Sequence, residues 1–149
     1  MLSGQSEVKA PDARLTAVLE RIRPGTALDL ACGSGRHALW LAERGWRVTA
    51  VDIRENVLPG VDYVCADLEH HEFTIEPNAW DLIVCWLYWQ RDLLPPIAAG
   101  VRDGGLIALA GKITGRFATS LAAYRAAFLG WQEIDGGQSD TMAWLIARK

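Results

Sequence analysis

Residues Thr26 to Asp52 read TALDLACGSGRHALWLAERGWRVTAVD, and this stretch decides the fold. Ala27-Leu28-Asp29-Leu30-Ala31 is a short apolar run of the kind buried between layers of helices, which makes it a strand. At Gly33 and Gly35 the chain can turn sharply and approach a ligand with no Cβ in the way. From His37 to Arg44, the residues Ala38, Leu39, Leu41 and Ala42 recur on a helical period until Gly45 stops the helix. Trp46 to Val51 resumes as a strand and ends in Asp52. Strand, glycine turn, helix, strand and acid in one unit make a nucleotide-binding arrangement. The free N–H groups of the helix face a polar ligand, and the acid can accept hydrogen bonds from two ribose hydroxyls.

Outward from that unit, residues 1–11 are polar, end in Pro11 and are expected to form a mobile tail, with a single domain over 12–149. Asp12 is placed to cap a helix over Ala13 to Ile22, which Pro24-Gly25 ends. Val61 to Cys65 is the third strand, and Trp80 to Trp86 is the fourth, central one. Between the second and third strands, Arg54 to Gly60 is shorter than the dozen or so residues that a parallel crossover usually takes, so one helical turn or a bare loop is expected. Asp92 to Arg102 should be helical, with Pro95 and Pro96 confined to its opening turn and Asp103-Gly104-Gly105 ending it before a fifth strand, Leu106 to Ala110. Ala118 to Phe128 is the next helix, and Trp131 to Asp135 with Met142 to Ala147 form a closing hairpin. The whole alternates into a doubly wound α/β sheet, mostly parallel, with ligands at the carboxyl ends of its strands.

Composition narrows the function. A chain of 149 residues suits one domain and one core, and a net charge of −3 from 15 basic and 18 acidic residues offers no basic tract for nucleic acid. Cys32, Cys65 and Cys85 are odd in number, far apart and set in apolar sequence, which suits reduced cytoplasmic thiols rather than disulfides or a zinc site. No run approaches the roughly 20 apolar residues of a membrane span, so a soluble, intracellular protein with no membrane partner is expected. His70 and His71 are adjacent and diverge on any regular element, so no metal is expected there.

Gly33-Ser-Gly35-Arg-His-Ala38 also fits the dinucleotide pattern G-x-G-x-x-G/A, so the glycines alone do not separate NAD from other adenosine ligands. A wider match does. Asp29-Leu-Ala-Cys-Gly33-Ser-Gly35-Arg36 resembles motif I of the class I S-adenosylmethionine-dependent methyltransferases. Gly35-Arg36-His37-Ala38-Leu39-Trp40-Leu41 followed by Gly45, Val48 and Asp52 is similar to their small bacterial, tellurite-resistance-type branch. The resemblance implies a Rossmann-like sheet closed by an antiparallel strand, S-adenosylmethionine as cofactor, and methyl transfer to a small-molecule acceptor. By the same resemblance, Asp29, Gly33 and Gly35 line the methionine half of the cofactor, and Asp52 binds its ribose. Ile53 lies against the adenine, and Asp67 and the Leu68 amide contact the adenine edge. Arg36 at the mouth of the turn is a candidate for the cofactor carboxylate, or for a surface acid such as Glu43.

The resemblance further implies that Cys85 and Trp86 contribute to the cofactor site from the fourth strand, and that donor and acceptor meet at its exit, Trp86 to Pro95. There Tyr88 and Arg91 keep a Tyr-Leu-His-Arg-Pro-Leu pattern of some small bacterial members, while Gln90 replaces its histidine. Tyr88 is the first candidate for a general base and His37 a second. The loop Gly111 to Arg116 is basic and glycine-bounded, suiting a lip over an anionic or polar acceptor. With little sequence outside the core, the site is expected to be open or closed by a second subunit of a homodimer. Two rivals remain at this level: a non-catalytic adenosine-cofactor module with a trimmed adenine pocket, and an NAD-dependent oxidoreductase, against which Asp29 and the closing hairpin argue.

Overall fold

A computed structural model describes residues 9–149, so eight residues of the expected tail, 1–8, lie outside the described residues. The elements are α1 (Ala13–Leu19), β1 (Thr26–Leu30), α2 (Arg36–Glu43), β2 (Arg47–Asp52), β3 (Val61–Cys65), β4 (Trp80–Trp86), a 3-10 turn (Arg91–Leu93), α3 (Leu94–Gly100), β5 (Val101–Lys112), α4 (Leu121–Ala127), β6 (Gln132–Gln138) and β7 (Met142–Arg148). They build one seven-stranded sheet in the order β3-β2-β1-β4-β5-β7-β6. Strands β3 through β5 are parallel, and β7 runs antiparallel to both β5 and β6. The order reverses between β1 and β4, so their carboxyl ends frame the crevice in which such sheets bind ligands.

The apolar runs explain why β1, β4 and β5 hold the centre. Successive side chains alternate between two buried layers. Leu28, Leu30, Ile83, Ile107 and Leu109 pack with α3 and α4, whereas Ala27, Leu82, Val84, Leu106 and Ala108 pack with α1 and α2. Among the described residues no helix is long and apolar enough to cross a membrane.

The link from β2 to β3 is a bare loop, yet the two strands pair in parallel from Val48↔Val61 to Asp52↔Cys65. A single side chain stands in for a crossover helix: Leu58 is buried and packs against Gly35 so closely that a Cβ there would lie 2.5 Å from Leu58 Cδ1. Residues 66–79 hold only turns, so the connection to β4 is also without a helix, and β3 carries no fully buried residue.

Several boundaries differ from expectation. Helix α1 stops at Leu19 rather than Ile22, and Asp12 caps it by accepting from the Arg14 amide at 2.9 Å. Helix α3 ends at Gly100, whose backbone lies against Ile75, and β5 starts immediately at Val101. Trp80 pairs with Val101 and Leu82 with Leu106, so Arg102 to Gly105 is a bulge inside β5 and not the helix end expected at Asp103-Gly104-Gly105. Helix α4 begins after Ser120, whose hydroxyl accepts from the Ala123 amide at 3.1 Å. Gly136 and Gly137, expected in the hairpin turn, belong to β6, where Gly137 lies beneath the Trp144 ring.

Candidate active site

The site begins where β1 ends. Ala31, Gly33 and Gly35 all have positive φ, at 53°, 59° and 92°, and coil the chain into a turn fixed by Cys32 N to Val51 O at 3.0 Å. Left-handed backbone costs a non-glycine residue about 1–2 kcal/mol, and it recurs at Leu87, φ 62°, as β4 ends. Two strained residues at neighbouring strand ends mark this edge as built for something other than stability. The glycines have different neighbours: a Cβ on Gly33 would meet nothing within 4 Å, while Gly35 faces Leu58. Gly33 is the one open to a ligand.

A cavity of about 880 Å³ opens there, lined among others by Asp29, Cys32, Gly33, Arg36, Trp86 and Leu87. Asp29 is buried, with Oδ2 left without a partner among the described residues. Burial pushes its carboxyl up to about 8, with the Ala38 amide pulling the other way and the Asp52 charge adding to the rise. Arg36 turns its guanidinium to the Ala10 carbonyl at 3.1 Å. Asp52, at the end of β2, accepts at Oδ1 from the Gly33 amide (3.3 Å) and at Oδ2 from the Arg54 amide and Nε (3.3 and 3.4 Å).

Asp52, Ile53, Asp67 and Leu68 come together around a smaller cavity of about 100 Å³, closed by Ala31 and Tyr88. Ile53 is exposed there. Both carboxylate oxygens of Asp67 are engaged in its own turn, Oδ1 accepting from the Glu69 amide at 2.9 Å and Oδ2 meeting His70 Nδ1 at 2.6 Å. The His70 contact holds the Asp67 carboxyl below the usual carboxylate range. His71 instead faces Asp92, and among the described residues no cluster of His, Cys, Asp and Glu could hold a metal.

A third cavity, about 470 Å³, lies between the ends of β4 and β5, with Glu69, Tyr88, Trp89, Lys112, Arg116 and Phe117 in its wall. Tyr88 donates to Gln90 Oε1 at 2.7 Å, and Gln90 Nε2 in turn donates to the Leu68 carbonyl at 3.1 Å. Burial, helped by Glu69, pushes the Tyr88 phenol up to about 12, so it keeps its proton at neutral pH. Trp89 meets the Tyr124 ring edge-on, 5.4 Å between centroids. Two expected site residues point elsewhere. Arg91 is exposed on the 3-10 turn, its guanidinium 5.9 Å from the Trp89 ring, and borders none of these cavities. Cys85 is buried in the α3–α4 layer, opposite in direction to Trp86.

The sequence reading missed the segment before α1. The Asp12 amide donates to His37 Nε2 at 3.0 Å, the Asp12 carboxylate accepts from Trp86 Nε1 at 3.3 Å, and Lys9 lines the large cavity. The capping role of Asp12 was visible locally, whereas its tie to Trp86 spans two distant elements. Burial lowers His37 to about 4, with Arg36 adding to the effect, so it is neutral, and its Nε2 is committed to the strap.

A doubly wound sheet closed by an antiparallel strand, with a glycine turn after β1 and an acid at the end of β2, is the fold of the class I S-adenosylmethionine-dependent methyltransferases. Residues 27–105 match the methyltransferase domain family, and the chain belongs to it. Malonyl-[acyl-carrier protein] O-methyltransferase of Salmonella typhimurium is 34% identical over 134 residues, which cover 83% of this chain and 50% of that protein. TehB from Haemophilus influenzae superposes with a TM-score of 0.82 at 16% identity, over 95% of this chain and 63% of its own. The 1,6-didemethyltoxoflavin-N1-methyltransferase of Burkholderia thailandensis, with 1,6-didemethyltoxoflavin and S-adenosylhomocysteine bound, gives 0.67 at 23% identity, over 92% and 75%. The chain therefore spans half the length of its curated relative and less than two thirds of TehB.

Proposed function

We propose that this chain binds S-adenosylmethionine along the ends of β1 and β2 and transfers its methyl group to a small-molecule acceptor seated between β4 and β5. The observation that carries this reading is Asp29: a buried carboxyl oxygen without a partner among the described residues, on a side chain that lines an open cavity, calls for a cationic or donating ligand group. The residues fit the cofactor. Asp29 would meet its ammonium, Gly33 admits close approach, and Asp52 offers its carboxylate to the ribose hydroxyls once the exposed Arg54 side chain swings aside. Ile53 and Leu68 flank a place for the adenine.

When bound, the cofactor supplies a methyl group on a sulfonium, a good leaving centre. The chain contributes alignment of donor and acceptor. Trp86 and Leu87 border the large cavity, and the acceptor cavity shares Leu87 with it and Tyr88 with the small cavity. Tyr88 holds its proton and orients through Gln90, so an acceptor that is already nucleophilic suits this site best.

Thermal unfolding with S-adenosylmethionine, S-adenosylhomocysteine and NAD tests the reading. Ligand at about 100 times its Kd adds roughly 2.7 kcal/mol and raises the midpoint by several degrees. A rise with the first two and none with NAD is expected; no rise with any of them refutes it.

A further inference from the structure

Resting on the methyl-transfer reading above, we infer that the acceptor is a flat aromatic acid whose anionic group is anchored by Lys112 and Arg116, at the end of its cavity remote from the cofactor. The cavity has two unlike ends. Leu87 also borders the large cofactor cavity, and Tyr88 and Glu69 also border the small one, whereas Lys112, Arg116 and Phe117 border the acceptor cavity alone. Both cations therefore belong to wall that neither cofactor-side cavity shares, here the outer end, and the Glu69 carboxylate to wall shared with the small cavity, the inner end.

Among the described residues none of these charges is paired with an opposite one. The ion pairs among the described residues involve Arg14, Arg54, His70, His71, Arg102 and Arg125, and leave Lys112, Arg116 and Glu69 without partners. An anion entering the cavity is drawn to the outer pair and repelled from the inner carboxylate, which fixes its orientation.

Between the charged ends the walls are aromatic. Trp89 is fixed by its edge contact with Tyr124, and Phe117 stands 59% exposed with the Arg116 guanidinium 5.3 Å from its ring. A flat ring seated between Trp89 and Phe117 would bury that exposed face, worth roughly 25 cal/mol for each Å² removed from water. The volume, about 470 Å³, falls in the range of roughly 300–1,000 Å³ typical of small-molecule sites. It is far more than a bare inorganic oxyanion would fill, given that one water accounts for about 30 Å³.

Titration calorimetry of the whole chain with 2-naphthoate, 2-naphthol and 2-naphthylamine as probes tests this, with and without S-adenosylhomocysteine. Naphthoate should bind at least about tenfold tighter than naphthol, equivalent to about 1.4 kcal/mol, and the Lys112→Gln/Arg116→Gln double variant should lose that preference. The variant should still bind S-adenosylhomocysteine as the wild type does, which shows that it is folded. Equal binding of the three probes, or a preference that survives in the double variant, overturns the inference. The two readings fail separately. Absent S-adenosylhomocysteine binding with naphthoate preference intact removes the cofactor and leaves the acid pocket; normal S-adenosylhomocysteine binding without the preference does the reverse.

Discussion

Replacing Asp29 with asparagine should make the ligand-free protein more stable at alkaline pH while weakening its hold on the cofactor. The Asp29 carboxyl is lifted from an ordinary value of 3.8 to about 8, chiefly by burial. Between those limits the folded chain holds a proton that the unfolded chain has released, so ν for the native state exceeds ν for the unfolded state and stability falls as pH rises. The contribution is fully present below the ordinary carboxylate range and is lost by about pH 8. Each pH unit inside the window changes the folding equilibrium by up to about tenfold, or about 3 kcal/mol between pH 5 and 7. For a chain of this size that is a midpoint change of roughly 5–10 °C as an upper figure.

The carboxamide of the Asp29→Asn variant cannot titrate. The difference in melting temperature, D29N minus wild type, should therefore climb steadily from pH 5 to pH 8, with contributions from all other groups cancelling in the subtraction. Binding should show the opposite preference, because a ligand ammonium favours the ionised acid: wild type should release a proton on binding S-adenosylhomocysteine at pH 7, measured by calorimetry in buffers of different ionisation enthalpy. Melting curves that stay parallel across this range would refute the reasoning.

Three further outcomes follow from contacts elsewhere. Gly35→Ala should destabilise the fold by about 1–3 kcal/mol in urea, since its φ is 92° and its Cβ would meet Leu58; in a Leu58→Ala background the steric share of that loss should vanish, and equal losses in both backgrounds would exclude the contact. Asp12→Ala should cost about 1–2 kcal/mol of stability through the lost cap and move the Trp86 indole N–H proton resonance upfield as it loses its carboxylate acceptor; an unchanged resonance would place the strap elsewhere. Asp52→Ala should weaken S-adenosylhomocysteine binding by more than about tenfold if two ribose hydrogen bonds are made, and unchanged affinity in the folded variant would remove that role.

Local pattern carried much of the fold. Strands β3 and β4 begin and end where Val61–Cys65 and Trp80–Trp86 place them, because turn residues bound both apolar runs. The helix-free link after Asp52 was legible from its length alone. The start of β5 was not, since Val101 is held in the sheet by Trp80, far away in sequence, and no local feature announces a bulge at Arg102 to Gly105. At the site, Asp29, Gly33, Asp52, Ile53, Asp67 and Leu68 gather along one sheet edge as their motif positions imply. Cys85 was misplaced although the signal was available: strand side chains alternate, so it and Trp86 cannot both face the cofactor. Arg91 depended on the rotation of a 3-10 turn, and the strap from Asp12 to His37 and Trp86 on contacts between elements, neither of which a linear pattern encodes.

The bare edge made by β3 also sets where the molecule breathes. Among the described residues that strand has β2 as its sole neighbour in the sheet, and it has turns rather than helices on either side of it in the chain, so few packed atoms oppose its opening. Its amide hydrogens should exchange with solvent through local openings, long before those of β1, β4 and β5 respond to global unfolding. Asp52 and Leu68 flank this strand in sequence, and a ligand bridging them would fasten the loose edge to the rigid centre. Slowed exchange confined to β3 would then report occupancy of the adenine side directly, whatever chemistry follows at the other end of the trough.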